Sequence, residues 1–156
     1  MEPFESYPEW LKNNPRCLGG GSSRTGYGLV LQRITKQTEC AYCELSMVNT
    51  YHHWLHMTVD HVIPGYMAKH EGWREWVDNA NNMVICCSAC NGFLNGFRLA
   101  ADTRPPSTFE EFVARRDSLF SEKKARALKR HEHERCIFEK RPWEKDIDCA
   151  TLRRRP

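Results

Sequence analysis

The sequence predicts an α+β fold in which two short strands and a helix are drawn together by paired cysteines, flanked by helices and followed by a long amphipathic C-terminal helix. Three observations carry this. Cys40-x-x-Cys43 and Cys87-x-x-Cys90 are separated by 43 residues, and two thiolates from each of two tight turns suit a closed tetrahedral zinc site. The alternating stretch from Tyr51 to Val62 and the apolar run Met83-Val84-Ile85 read as strands. Beyond Ser107 an apolar stripe of helical period runs to about Phe138.

A chain of 156 residues with 40% hydrophobic content can bury one modest core, with or without an extension. The start, Met1-Glu2-Pro3-Phe4-Glu5, is acidic and lacks the apolar segment of an export signal, and no apolar run reaches membrane-spanning length. The expectation is a cytoplasmic protein with no membrane partner. In that setting the eight cysteines read as metal ligands, with an oxidised pairing of all eight as the alternative. Cys17, Cys136 and Cys149 fit better as small buried hydrophobes. Cys86 competes with Cys87, but only Cys87 makes the C-x-x-C spacing with Cys90. The net charge of +3 is unevenly placed: residues 107–156 carry fourteen Lys/Arg against ten Asp/Glu, residues 1–106 nine against ten. A polyanionic partner is permitted, not demanded.

Residues 1–26 are rich in Pro and Gly around Gly19-Gly20-Gly21-Ser22-Ser23 and read as a flexible N-terminal segment from which Trp10 and Leu11 can dock. Leu29, Val30 and Ile34, with Arg33 and Lys36 between, predict a short helix over 27–38. In the first strand Leu55, Met57 and Val59 share one face, and Pro64-Gly65 ends it. Asp60 and His61 would point to opposite faces of a flat strand, so the backbone is expected to turn there. Residues 65–80 form a loop or short helix around Trp73 and Trp76, both expected in the core. Cys87 should open a helix carrying Asn91, with Phe93, Leu94, Phe97 and Leu99 inward. Gly92 and Gly96 weaken that helix by roughly 1 kcal/mol each relative to alanine, so a metal must anchor its start. After the hinge at Pro105-Pro106, Ser107-Thr-Phe-Glu110 reads as a capping box for the last helix, which Arg141-Pro142 stops. The last ten or so residues read as frayed.

Between the cysteine pairs lie Asp60, His61 and Asn82, with Asn91 just past the second pair. A carboxylate and an amide oxygen are hard ligands for a magnesium-type cation, and an adjacent imidazole can take a proton from water near neutral pH. That is hydrolytic machinery suited to a phosphate. Alone each residue is a weak signal; the cysteine anchors that bring the strand end, the second strand and the helix start together raise it. His52, His53, His56 and His70 read as surface or packing residues.

Cys40-Ala-Tyr-Cys43, Thr58-Val-Asp-His-Val-Ile-Pro64 and Asn82-Met-Val-Ile-Cys-Cys-Ser-Ala-Cys-Asn91 together resemble the HNH endonucleases, the ββα-metal nuclease family, in a zinc-stabilised H-N-N form. The resemblance covers about residues 27–100, within a nuclease domain of 27–106 ahead of a helical basic extension, 107–156. It implies a phosphodiester hydrolase acting on nucleic acid, expected to be double-stranded DNA, with His61 as general base and Asp60 and Asn91 holding one Mg²⁺-type cation. Asn82 would fix the loop and orient His61, and Cys40, Cys43, Cys87 and Cys90 would hold structural zinc. Many members carry a lysine shortly after Cys-Asn, where this chain reads Gly92-Phe-Leu-Asn95-Gly96. A phosphate contact then falls to Arg98 or elsewhere, and Asn95, one turn from Asn91, is a rival metal ligand.

Arg116, Lys123 and Arg130 recur every seventh residue and can lie along a DNA backbone or simply form a solvated face. Two other functions stay open: a non-catalytic nucleic-acid-binding zinc module, and a subunit of a larger complex docked through the C-terminal helix.

Overall fold

In a computed structural model, residues 3–12, 24–100 and 103–144 are described. The architecture is α+β with one small sheet. Strands β1 (Met57–His61) and β2 (Met83–Cys87) pair antiparallel, with Met57 opposite Cys87, Val59 opposite Ile85 and His61 opposite Met83. An isolated two-stranded ribbon is marginal in water, and this one is covered on several sides. Every residue of β2 is buried, which explains why its sequence is a continuous apolar run and not an alternating one.

The helices before the sheet are short: α1 (Glu9–Lys12), α2 (Leu29–Thr35) and α3 (Tyr51–Leu55). The expected helix over 27–38 is found as α2, led by an irregular turn at Arg24–Gly28. The expected strand from Tyr51 is found only from Met57. Thr50 accepts a hydrogen bond from the His53 amide and caps α3, so the Thr N-cap overrides the alternation that follows it. The expected turn at Asp60-His61 comes later: both residues stay in β1, and the chain bends at Val62-Ile63.

Single turns at Gly65–Lys69 and Ala80–Asn82 bracket α4 (Arg74–Val77). Trp73 is buried there and Trp76 stacks on Phe112 at 5.3 Å, so both serve the core as expected. Cys87 ends β2 and at once caps α5 (Ser88–Leu94), its sulfur accepting from the Cys90 amide. Leu94 and Phe97 are buried, whereas Phe93 and Leu99 are only half-buried.

The long helix α6 (Phe109–Glu139) starts one residue later than the predicted capping box places it. Thr108 accepts from the Glu111 amide, and the Glu111 carboxylate accepts from the Ser107 amide. Arg141, in the left-handed region with φ 45°, and Pro142 follow its end. This helix is not a separable extension. Phe112, Leu119, Phe120 and Ala127 belong to the same core as the sheet, and Phe120 stacks on Tyr42 at 5.3 Å. Nor are residues 3–12 a loose arm: Phe4, Tyr7 and Leu11 are buried, Phe4 packs edge-on against Phe120 at 5.5 Å, and the Tyr7 hydroxyl donates to the Met83 carbonyl. The glycine-rich centre at 19–23 and the frayed terminus expected at the end lie outside the described residues. Cys136 is exposed, contrary to expectation, and Cys17 and Cys149 are outside the described residues. Among the described residues no helix is long and apolar enough to cross a membrane.

Candidate metal centre and adjoining cleft

The two C-x-x-C pairs meet. The sulfurs of Cys40, Cys43, Cys87 and Cys90 all lie within 4.8 Å of one another, and the Cys43 and Cys87 sulfurs are 3.8 Å apart. A tetrahedral Zn–S₄ site with bonds of about 2.3 Å has S–S edges of about 3.8 Å, so the donor set fits zinc in kind and spacing. The cluster can hold one ion. Local backbone builds it: the Ala41 amide donates to the Ile85 carbonyl at 2.9 Å, fixing the first knuckle to β2, and the Cys87 amide donates to the Cys40 sulfur at 3.3 Å. Hydrogen bonding from Cys43 draws the Cys40 thiol down to about 7. Cys86 does not compete with Cys87. Successive strand residues point to opposite faces; Cys86 is buried away from the cluster, and burial pushes its thiol well up.

His131 of α6 completes the surroundings, its Nε2 standing 3.1 Å from the Cys90 sulfur and its ring edge-on to Phe93. Sequence reasoning missed it, because a histidine 41 residues beyond Cys90 in a helix carries no spacing signal.

A cleft of about 400 Å³ is lined by Asp60, His61, Asn91, Asn95, Arg98 and Lys123. Asp60 is buried and paired. Its Oδ2 accepts from the Tyr42 hydroxyl at 2.5 Å and from the Lys123 ammonium at 2.6 Å. Lys123 also donates to the His61 carbonyl at 2.8 Å. Burial and the Asp60 charge push the Tyr42 phenol well up, which keeps it a donor. Burial pulls the His61 imidazole below its ordinary value, against the opposing pulls of Asp60 and Asp78.

Asn82, fully buried, stands behind the cleft. Its Oδ1 accepts from the Ile63 amide at 2.7 Å, and its Nδ2 donates to the carbonyls of Ile63 at 2.9 Å and Val77 at 3.0 Å. It therefore fixes the chain two residues past His61, through backbone bonds and not through the imidazole. Asn91 donates to Thr58 Oγ1 at 3.3 Å, a bond that leaves its amide oxygen unused. Asn95 lines the same cleft, so the rivalry between the two stands. Arg98 donates to the carbonyls of Asn95 and Phe97 and lies over Tyr66.

For a hard divalent cation the cleft offers one carboxylate, Asp60, and amide oxygens from Asn91 and Asn95, which fit in chemical type. Lys123 already engages that carboxylate.

The predicted seven-residue basic stripe is not a solvent face. Arg116 is buried, its guanidinium 3.7 Å from the Phe4 ring centre and hydrogen-bonded to Asp117 and the Asn81 carbonyl. Lys123 is only 2% exposed. Both fall on the inward row of α6 with Phe112, Phe120 and Ala127, so a seven-residue repeat in this helix marks the face turned inward. Arg130 alone is exposed, paired with Glu134 at 2.6 Å. Three cations that do face solvent, Arg126, Lys129 and Arg130, line a second groove of about 560 Å³ together with Gly92, Phe93 and His133. Of the other histidines, His56 bonds Ser88 at 3.0 Å, and His52, His56 and His70 are exposed.

Comparison of the chain with protein-family models, with curated proteins and with solved structures finds no match, so the chemistry of the cleft itself carries the functional reading.

Proposed function

We propose that the protein is a metal-dependent, zinc-stabilised endonuclease of the HNH, or ββα-metal, type that hydrolyses phosphodiester bonds in DNA. The observation that carries this reading is a single one. Asp60 and His61 at the end of β1 line one cleft with Asn91 of α5, and α5 is capped by a cysteine of the four-sulfur cluster. The order β1, β2, α5 is the order the resemblance implies.

In this reading His61 takes a proton from water at a ring nitrogen, and burial favours the neutral form that can accept it. The water oxygen attacks phosphorus, the bond to the leaving deoxyribose oxygen breaks, and that oxygen gains a proton from solvent. Asp60 and an amide oxygen of Asn91 or Asn95 would hold the divalent cation, which would supply charge stabilisation at the phosphate. Asn82 keeps His61 in place by clamping Ile63. The groove of Arg126, Lys129 and Arg130 on the other side of α5 offers cations to the neighbouring phosphates. In place of the Arg116–Lys123–Arg130 stripe, this groove is the nucleic-acid surface of the reading.

Zinc-loaded protein incubated with supercoiled plasmid and Mg²⁺ should convert it to nicked or linear DNA, and EDTA should stop the conversion. Retention of DNA in a gel shift without cleavage in Mg²⁺ or Mn²⁺ would leave the non-catalytic zinc module instead. Exposed Ile137, Phe138 and Trp143 near the end of α6 favour docking to a larger partner as a second, compatible role.

The zinc part of the reading has its own expected outcome. An imidazole N–H donated to a ligand sulfur holds that ligand in place. His131→Ala should therefore keep the fold and lose zinc to a chelator about tenfold more readily. Equal competition by wild type and variant would make His131 a packing residue only.

A further inference from the structure

Lys123 is the residue least accounted for by its surroundings. It projects from α6 between Phe120 and Ala127, both fully buried, and is itself 2% exposed. Burying an ammonium is costly unless it is paired and hydrogen-bonded. Here the pairing is with the one carboxylate of the cleft, at 2.6 Å, and the second bond is to the carbonyl of the residue read as general base. An ammonium has three donors, and those two bonds leave a third on a group that lines the cleft. The Phe97 ring, 5.6 Å away, closes another side of the ammonium.

We propose that Lys123 is a resident cation of the cleft that competes with the divalent ion for Asp60, so that loading of the ion depends on a substrate phosphate drawing Lys123 away. The inference rests on the nuclease reading for its substrate, but its first step concerns only Asp60 and two cations. An ammonium hydrogen-bonded to Asp60 Oδ2 and a divalent ion on either oxygen of the same carboxylate repel each other at contact distance, so each weakens the hold of the other. Lysine suits the part because its charge is a compact head on a flexible four-carbon stem, which can swing while the helix stays packed. An anion entering the cleft offers that head a new partner and uncovers the carboxylate. By linkage, phosphate and divalent ion then each strengthen the binding of the other.

The experiment is Mn²⁺ binding followed by electron paramagnetic resonance on zinc-loaded, full-length protein, with no turnover read. Without DNA, Lys123→Met should bind Mn²⁺ about tenfold or more tighter than wild type, since the variant removes the competing half of a buried ion pair. Adding Asp60→Asn should abolish that gain. Lys123→Gln, which keeps length and polarity without charge, should behave like Lys123→Met and serves if the apolar variant fails to fold. A short duplex, added in a His61→Ala background so that it stays intact, should tighten Mn²⁺ binding to the protein bearing Lys123 and change little in the Lys123 variants. Equal Mn²⁺ affinity with and without Lys123 overturns the proposal, as does Mn²⁺ affinity indifferent to duplex in the protein that keeps Lys123. A failed plasmid assay alongside the predicted Mn²⁺ contrast would sink the nuclease reading and spare Lys123.

Discussion

Cys87→Ser is expected to leave the protein without zinc and unfolded. Serine is as good a helix cap as any residue, so the substitution spares the acceptor that opens α5 and removes only a sulfur from the cluster. What is lost is therefore the metal. Structural zinc contributes on the order of 10–16 kcal/mol, comparable with the whole stability of a small domain, about 5–15 kcal/mol. Besides the cluster, the knuckle at 40–43 is tied to the sheet and α6 by the Ala41–Ile85 bond and by Tyr42, which donates to Asp60 and stacks on Phe120, contacts that are small beside the metal's contribution. Cys86 cannot stand in, because it points away from the cluster. Zinc content by atomic absorption and far-UV circular dichroism would check this. A folded, zinc-free Cys87→Ser protein would mean that the core alone holds the fold.

The parts of this architecture that were readable in the sequence are those fixed by local chemistry. A C-x-x-C pair brings its own turn, an apolar run of strand length brings its own burial, and a Pro after the last stripe residue ends the helix. Thr50 was just as local a signal, yet the alternation around it hid the cap and turned α3 into strand. The functional surroundings were less legible because they are long-range. Nothing near Lys123 in the chain indicates that it meets Asp60, 63 residues earlier. The same holds for His131 beside Cys90. Likewise nothing local in Cys40-Ala-Tyr-Cys43 indicates that the Tyr42 hydroxyl donates to the same Asp60 oxygen as Lys123. The misreading of the basic stripe has one cause. In a helix that crosses the core, a cation on the inward row has the same spacing as one on a solvent face, and only its apolar neighbours Phe112, Phe120 and Ala127 tell them apart.

His61→Ala separates chemistry from fold. The backbone at this position is held without the imidazole: Lys123 bonds the His61 carbonyl, the Val62 amide bonds the Asn82 carbonyl at 2.8 Å, and Asn82 clamps Ile63. The variant should accordingly keep its zinc, its fold and its affinity for duplex, while plasmid cleavage falls by roughly two to four orders of magnitude, the usual share of a general base. The wild-type pH profile tests the same assignment from another side. Only the neutral ring accepts a proton, and burial lowers the His61 pKa, so the neutral form prevails at lower pH than for an exposed histidine. The cleavage rate should climb with pH, with the midpoint of the rise below the ordinary histidine value of about 6.5. That rise should vanish in His61→Ala, because the group that titrates is gone. Cleavage by His61→Ala at the wild-type rate would remove His61 from the mechanism. A wild-type rate still rising well above neutrality would point to a different titrating group, such as water on the cation.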